Sequence, residues 1–182
     1  MKEVIKQALA LKDFDVEAAQ RKLAPMPRPN KRPFDKPGTA RVGAVLLLLF
    51  PYNDELHVTL TRRRADLNAH AGQISFPGGR NEPSEKLRTT ALRETEEEIG
   101  VSPTAVEVLG TLTSIYIPPS DFIVHPFVGW MKNGRRPTYT PSPSEVAEVL
   151  DVPLRVLADP NNYQSETRTL FNGVQLNVPY FN

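Results

Sequence analysis

Residues 79–101 read GRNEPSEKLRTTALRETEEEIGV, a glycine turn that leads into a helix rich in carboxylates. On a helix, Glu94, Glu97 and Glu98 are three and four positions apart, so their side chains are neighbours on one face. Like charges at these spacings cost about 0.2–0.5 kcal/mol a pair, and more when they are partly buried. A bound cation would remove that cost. Because the donors are all oxygens, the pattern predicts a site for Mg²⁺ or Mn²⁺ rather than Zn²⁺.

The helix itself is predicted from residue types. The run Thr89–Ile99 contains good helix formers and neither glycine nor proline. Ser84 precedes this run and suits an N-cap, and Gly100 suits a C-terminal stop. The apolar Ala91 and Leu92 lie opposite the acidic face and are expected to anchor the helix on a core.

An acidic helix face has an ordinary alternative interpretation, because most such faces are simply solvated. Here seven positions have fixed identities at fixed spacings: Gly79, Glu85, Arg93, Glu94, Glu97, Glu98 and Gly100. At average residue usage, a chance match somewhere in a chain of this length is on the order of one in a million. The spacing therefore favours a functional motif.

The pattern resembles the Nudix box, G-x5-E-x7-R-E-U-x-E-E-x-G-U, where U is a bulky aliphatic residue. Val101 fits the last U, whereas Thr95 departs from the first. The resemblance implies a Mg²⁺- or Mn²⁺-dependent hydrolase that cleaves a diphosphate linked to a nucleoside. The box alone indicates the reaction class and not the substrate.

The same resemblance assigns roles to the residues of the box. Glu94, Glu97 and Glu98 would be metal ligands or the base that prepares the attacking water. Arg93 would orient these glutamates, and the carbonyl of Gly78 would add a further metal ligand.

The segment before the box is more specific. Residues 60–79, LTRRRADLNAHAGQISFPGG, are similar to the corresponding segment of coenzyme A pyrophosphatases, which has the form LLTxR…H-x-G-x-x-x-FPGG. With two downstream stretches, the similarity covers most of residues 42–160. One departure is Asn68, where that group usually has an arginine. If that arginine binds the 3′-phosphate of coenzyme A, then Arg62 or Arg64 would have to replace it here.

Six residues outside the box are candidates for substrate binding. Arginine forks match phosphate oxygens, and the alternative for three successive arginines is an ordinary basic strand end. A loop histidine is more often structural, and aromatic residues between strands more often belong to the core. The candidates are Arg62, Arg63, Arg64, His70, Phe76 and Tyr116.

One acid outside the box is a further metal-ligand candidate. Glu145 follows Pro143 and is predicted to lie near the start of a helix. Nudix enzymes often recruit such an acid as an extra ligand or base. The simpler alternative is an acidic residue that stabilises the helix dipole.

Composition narrows the class of protein. The 182 residues carry a formal net charge of +1, which argues against a large nucleic-acid interface. The absence of cysteine excludes disulfides, Cys-ligated zinc and thiol catalysis. No signal peptide or membrane-spanning run is visible, so the expected location is the cytoplasm and the expected partner is a small-molecule substrate.

Hydrophobic periodicity and turn signals predict an α/β sandwich with a mixed β-sheet. The resemblance implies that this is a Nudix-like α/β/α sandwich. We expect an N-terminal helical segment and Pro-rich arm over residues 1–38, followed by a hydrolase domain over residues 39–182. Predicted helices cover residues 2–23 (broken near 13–15), 89–99, 144–150 and 152–158. Predicted strands cover residues 39–50, 55–61, 73–76, 106–116, 123–131, 167–171 and 174–179.

Two rival functions remain at this point. The first is a Nudix enzyme for another nucleoside diphosphate derivative, such as ADP-ribose, a dinucleotide or an oxidised nucleotide. The second is a catalytically silent domain that binds a nucleotide or a protein. Silent domains are expected to lose carboxylates of the box, and all four are present here.

Overall fold

The computed structural model describes residues 1–27, 40–66, 72–169 and 173–181. Within them, the helices are α1 (Lys2–Leu9), α2 (Val16–Lys22), α3 (Leu87–Ile99) and α4 (Leu154–Ala158). The strands are β1 (Arg41–Tyr52), β2 (Glu55–Arg63), β3 (Ile74–Ser75), β4 (Gly78–Arg80), β5 (Val106–Thr111), β6 (Ile115–Ile117), β7 (Phe122–Met131), β8 (Val146–Pro153), β9 (Tyr163–Thr169) and β10 (Gln175–Phe181).

Strands β1 to β8 form one mixed sheet. The main order is β3-β2-β1-β7-β5, with β4 paired to β1, β6 to β7 and β8 to β2. β1 and β7 run parallel, and the other pairs are antiparallel. β9 and β10 form a separate antiparallel hairpin. The predicted hairpin is confirmed, although its turn lies outside the described residues.

Helices cover both faces of the large sheet. On one face, Leu46, Leu48 and Phe50 of β1 pack with Ala91 and Ile99 of α3. On the other face, a cluster around Leu49, Val58, Val128 and Trp130 is covered by residues of α1 and α4. Alternate residues of β1 therefore supply both cores, as a strand with side chains on opposite faces must. The predicted α/β/α sandwich with a mixed sheet is confirmed.

Helix α3 begins at Leu87, two residues before the predicted run, and Ser84 is not its N-cap. Its N-cap is Lys86, with no side-chain hydrogen bond, and Ser84 instead has a positive φ of 67° in the preceding loop. Gly100 ends the helix in the left-handed conformation, as expected. Thr95, the departure from the box, is buried and its hydroxyl donates to the Ala91 carbonyl at 2.7 Å. The polar atom is therefore satisfied inside the core.

The helix predicted over residues 144–150 is wrong, because this segment belongs to strand β8. β8 pairs with β2 from His57↔Pro153 to Arg63↔Val146. The apolar residues of this segment fit a helical as well as an extended pattern. The backbone of β2 decides between the two patterns. A strand placed beside β2 satisfies the backbone N–H and C=O groups of both strands.

The sequence predicted one or two helices over residues 2–23, and the structure has two, α1 and α2. The predicted strand over residues 106–116 is split into β5 and β6. Most of the Pro-rich arm lies outside the described residues. The boundary at residues 38–39 stays a prediction. Among the described residues, no helix combines the length and the apolar character needed to cross a bilayer.

Candidate functional site

Two glycines bring β4 into contact with α3 and β1. A Cβ atom on Gly79 would lie 2.3 Å from Oε2 of Glu94, so only glycine leaves room for that carboxylate. A Cβ atom on Gly78, whose φ is 154°, would lie 2.3 Å from the carbonyl oxygen of Ala44. The Gly-Gly pair thus places the loop backbone directly against the acidic face of α3.

Arg93 is the centre of an ion-pair network that ties the loop to the helix. Its Nε lies 3.0 Å from Oε1 of Glu85, and its Nη1 lies 2.9 Å from Glu94 Oε1 and 3.0 Å from Glu97 Oε2. Its Nη2 also donates to the Arg80 carbonyl at 3.3 Å. The predicted orienting role of Arg93 is in keeping with these contacts.

Glu85 holds Arg93 from the loop side. The hydrogen bonds from Arg93, with help from the Thr90 hydroxyl at 2.8 Å, lower the pKa of Glu85 from 4.5 to about 2. Glu85 is therefore a charged anchor at any physiological pH. The sequence analysis used Glu85 only to recognise the motif and did not predict its ion pair with Arg93. Its fixed position in the box was the signal that could have indicated a structural role.

Glu98 is the most buried carboxylate of the box, with 8% of its surface exposed. Its Oε2 accepts a hydrogen bond from the backbone N–H of Gly78 at 3.3 Å. Burial raises its pKa from 4.5 to about 7, and the charges of Glu94 and Glu145 raise it further against the opposing effects of Gly78 and Arg63. The site therefore concentrates negative charge around a group that is hard to ionise.

Glu94 and Glu97 have different environments. The Glu94 side chain is 18% exposed, and burial raises its pKa, with Arg93 opposing and the charges of Glu97 and Glu145 adding to the effect. The Glu97 side chain is 59% exposed and is paired with Arg93. The structure thus separates the three predicted ligands into the buried Glu98, the partly buried Glu94 and the exposed Glu97.

Glu145 lies near enough to the box carboxylates for its charge to raise their pKa values. It lies just before β8, not at the start of a helix as predicted, and its charge acts on both Glu94 and Glu98. Its Oε2 lies 3.3 Å from Nη1 of Arg63, whose charge also acts on Glu98. Outside the box, the fold therefore brings the charges of Glu145 and Arg63 to the carboxylates, in addition to the N–H of Gly78.

The other substrate-binding candidates have partners elsewhere. Arg62 pairs with Glu148 across β2 and β8 at 3.4 Å, and Arg64 pairs with Asp66 at 2.6 Å. Phe76 packs against the core cluster around Leu49 and Trp130.

Tyr116 and His70 are the two remaining candidates. The Tyr116 hydroxyl donates to Asp121 at 2.9 Å. His70 lies outside the described residues. Of the three arginines, only Arg63 is therefore connected to the acidic site by the contacts described above.

A cavity of about 640 Å³ opens beside Glu94. Its lining consists of Arg80, Asn81, Glu82, Pro83, Ser84 and Glu94. The cavity is large enough for part of a nucleotide-sized ligand. The sequence alone did not indicate a binding role for Arg80, because an arginine after a glycine turn is common. Its place in the lining of the cavity is visible only in the folded structure.

The carboxylate oxygens of Glu94 and Glu98 are the kind of donor that a divalent cation prefers. The described residues include no group of three Asp, Glu, His or Cys side chains already arranged to hold a metal ion. Glu94 and Glu98 each have a raised pKa because they are buried close to other negative charges. A hard cation with oxygen ligands would offset that repulsion. Glu94 and Glu98 would hold it, with Glu145 adjacent. A role for the Gly78 carbonyl stays a prediction.

The raised pKa of Glu98 predicts a pH-dependent stability. The unfolded chain releases this proton near 4.5 and the folded chain near 7, so folding binds protons within this window. The free energy of unfolding of the metal-free protein should therefore fall as pH rises through the window, by about 3 kcal/mol from Glu98 alone. Glu85 does not oppose this trend, because its lowered pKa acts only below 4.5.

Denaturant unfolding at about pH 5 and about pH 8 in the presence of a chelator measures this slope. Glu98→Gln should flatten it, and Glu96→Gln, an exposed change on the same helix, should not. A slope that is identical in the Glu98→Gln variant and the parent would contradict the assignment.

Comparisons with known proteins agree with this site. A family model described as the NUDIX domain matches residues 40–171. Nudix hydrolase 15 of Arabidopsis thaliana, named as mitochondrial, is 36% identical over 140 residues, which cover 76% of this chain and 48% of the plant protein. The Nudix hydrolase NudL of Pectobacterium atrosepticum is 38% identical over 152 residues, which cover 81% of this chain and 71% of that protein.

The length of the matches differs among relatives. The chain spans 48%, 41% and 38% of three relatives from Arabidopsis thaliana and Caenorhabditis elegans. Among solved structures, the Nudix hydrolase RenU of M. smegmatis superposes with a TM-score of 0.55 at 22% identity, covering 65% of this chain and 74% of that one. At this identity the superposition shows a common fold alone.

Proposed function

Because the chain belongs to the Nudix hydrolase family, we propose that it is a metal-dependent diphosphatase that cleaves coenzyme A or a derivative. The products would be 4′-phosphopantetheine and adenosine 3′,5′-bisphosphate. The observation that carries the reaction class is the pair Glu94 and Glu98 beside the Gly78-Gly79 loop, with Glu145 and Arg63 next to it. The similarity of residues 60–79 to coenzyme A pyrophosphatases supports the choice of substrate.

The reaction transfers a phosphoryl group to water. The water oxygen forms a bond to one phosphorus, the bridging P–O bond breaks, and the departing phosphate keeps the electron pair. A divalent cation, Mg²⁺ or Mn²⁺, would neutralise the diphosphate and make the water more nucleophilic. The cation would be held by Glu94 and Glu98.

The protein supplies the remaining tasks. Glu145, whose side chain is about half exposed and is paired with Arg63, would accept the proton of the attacking water. Arg63, now paired with Glu145, is positioned to exchange that partner for a phosphate oxygen. Arg93, fixed by Glu85, holds Glu94 in place, and Glu97 completes the ion pairs of Arg93.

A hydrolysis panel tests the proposal. Coenzyme A, ADP-ribose, a dinucleoside polyphosphate and an oxidised nucleoside triphosphate are incubated with Mg²⁺, Mn²⁺ or a chelator, and the products are identified by mass. Running the reaction in ¹⁸O-water reveals which phosphorus is attacked. Turnover of another substrate with coenzyme A left intact would favour the alternative Nudix activity. Nucleotide binding without turnover of any substrate would favour a silent binding domain.

The structure refines which arginine should matter for substrate binding. Arg63 lies beside the carboxylates, so we expect it to contact the diphosphate rather than the 3′-phosphate. Arg63→Ala should lower kcat/KM by about ten- to a hundred-fold, equally for coenzyme A and 3′-dephospho-coenzyme A. Arg62→Ala, which removes a neighbour paired with Glu148, is the matched control.

A loss in Arg63→Ala confined to coenzyme A would show instead that Arg63 reads the 3′-phosphate. Parent-like efficiency of Arg63→Ala on both substrates would remove it from the site. The expected cytoplasmic location, like the small-molecule partner without nucleic acid or membrane, remains a prediction.

A further inference from the structure

A proline-rich segment ends at Glu145, whose charge acts on Glu94 and Glu98. We define the strap as residues 136–145, RPTYTPSPSE. Its three prolines restrict the backbone, so a point fixed within the strap constrains the residues that follow. The strap leaves the core at one end of the sheet and enters β8 directly after Glu145.

The strap is docked on the C-terminal end of α3. The backbone N–H of Thr140 donates to the Ile99 carbonyl at 2.9 Å, and that of Ser142 donates to the Glu98 carbonyl at 2.8 Å. Both carbonyls are in the last turn of α3, where helices leave acceptors unpaired. Gly100 permits this approach, because a Cβ there would lie 2.8 Å from Cβ of Thr140. The strap therefore runs along the helix turn that carries Glu98.

A polar cluster clamps the strap to the sheet. The Tyr139 hydroxyl donates to Oδ1 of Asp151 at 2.5 Å and contacts the Thr59 hydroxyl at 2.9 Å. Arg136 Nε donates to the other Asp151 oxygen at 2.5 Å, and its guanidinium lies 5.8 Å from the centre of the Tyr139 ring. Thr59 is fully buried and the Asp151 side chain is 11% exposed. Such a cluster fixes one arrangement, because any shift leaves a buried polar atom without its partner.

The end of the strap is held by β2. The carbonyl of Ser142 accepts from the N–H groups of Glu145 at 3.2 Å and Val146 at 2.9 Å, forming a tight turn. Arg64 binds both sides of that turn: its backbone N–H donates to the Glu145 carbonyl at 3.0 Å and its side chain donates to the Pro143 carbonyl at 2.6 Å. The position of Glu145 is therefore set from both ends of the strap.

We infer that Tyr139 is a positioning residue, which through Asp151 and Thr59 holds the strap so that the Glu145 carboxylate faces Glu94 and Glu98. This inference rests on the proposed function. Tyr139 touches none of the three carboxylates in the described contacts, so it acts only through the strap. A purely structural clamp would support the sheet edge equally well whether or not Glu145 were present, and this difference can be measured.

The experiment is a double-mutant cycle of Tyr139→Phe and Glu145→Gln in the full chain, with two readouts. The first is kcat on the best substrate of the panel, and the second is Mn²⁺ affinity measured by electron paramagnetic resonance. Tyr139→Phe alone should lower kcat by about ten-fold and weaken Mn²⁺ binding, because a displaced carboxylate loses its geometry. In the Glu145→Gln background, the same substitution should change both by less than about two-fold.

The controls separate positioning from general stability. Tyr180→Phe removes a hydroxyl that donates to Gln164 in the separate hairpin, and should leave both readouts unchanged. Thermal unfolding of Tyr139→Phe should show the same destabilisation with either residue at position 145. If Tyr139→Phe does not fold, Asp151→Asn, which keeps an acceptor but loses the charge that binds Arg136, takes its place in the cycle.

Two results would overturn the inference: effects of Tyr139→Phe and Glu145→Gln that multiply independently, or Mn²⁺ affinity and kcat unaffected by Tyr139→Phe. Failure of the proposed function gives a different outcome, since a chain that hydrolyses no substrate in the panel still reports the coupling through Mn²⁺ binding.

Discussion

Glu98→Gln is expected to lower kcat by about 100-fold or more while the fold remains intact. The substitution preserves the shape of the side chain and an oxygen that can accept the hydrogen bond from Gly78. It removes a negative charge that a cation held by Glu94 and Glu98 requires. Because that charge is buried, the metal-free variant should unfold at the same or a higher temperature than the parent above neutral pH.

Metal binding supplies the second readout for this prediction. Added Mn²⁺ should raise the melting temperature of the parent, since a ligand of the native state stabilises it, and should have little effect on Glu98→Gln. Glu96→Gln is the matched control on the exposed side of α3 and should behave like the parent. Glu97→Gln should fall between the two, because Glu97 is exposed and paired with Arg93. Turnover of Glu98→Gln within a few-fold of the parent would refute the ligand assignment.

The second large effect is expected for Gly79→Ala. The new Cβ would lie 2.3 Å from Oε2 and 2.4 Å from Cδ of Glu94, so the carboxylate must move. The carboxylate is the far end of a flexible side chain, and its displacement should cost little stability. A shift of about 1 Å in a catalytic group can reduce the rate by about 100-fold, and we expect a loss of that order in kcat.

Gly78→Ala provides the contrast. There the added Cβ would meet the Ala44 carbonyl at 2.3 Å and the Val45 Cα at 2.6 Å, both in the backbone of the central strand β1. We expect Gly78→Ala to lower the melting temperature strongly, and Gly79→Ala to lower kcat with a much smaller thermal effect. Similar melting curves for both variants, with kcat unchanged in Gly79→Ala, would show that the contact between β4 and Glu94 has no part in catalysis.

Much of this architecture could be predicted because its determinants are local. The spacing of Glu94, Glu97 and Glu98 on one helix, the glycine at its end and the alternation along β1 each depend on residues that are close in the chain. The predicted helix face and the confirmed mixed α/β sandwich follow from them. The hairpin of β9 and β10 is another local feature, since the turn signal at residues 172–173 lies between its two strands.

Errors arose where distant segments decide the structure. Residues 144–150 form a strand because β2 offers an unpaired edge, and no periodicity within the segment reveals that edge. The substrate-binding roles of Phe76, Arg62 and Arg64 stay predictions. In the folded chain Phe76 packs in the core, Arg62 pairs with Glu148 and Arg64 pairs with Asp66. These outcomes depend on which helix and sheet faces pack together in the folded protein, and local sequence patterns do not indicate those contacts.

The sequence by itself determined the acidic face of α3, since the fixed spacing of Glu94, Glu97 and Glu98 gathers oxygen donors on one side of the helix whatever that helix packs against. The tertiary structure alone decided which carboxylates share one environment. It buried Glu98, partly buried Glu94 and left Glu97 exposed beside Arg93. It also brought the charges of Glu145 and Arg63, from the β2–β8 edge, within reach of Glu98. The physical reason is that burial and charge proximity are properties of the packed sheet and strap, and these bring together groups far apart in the chain.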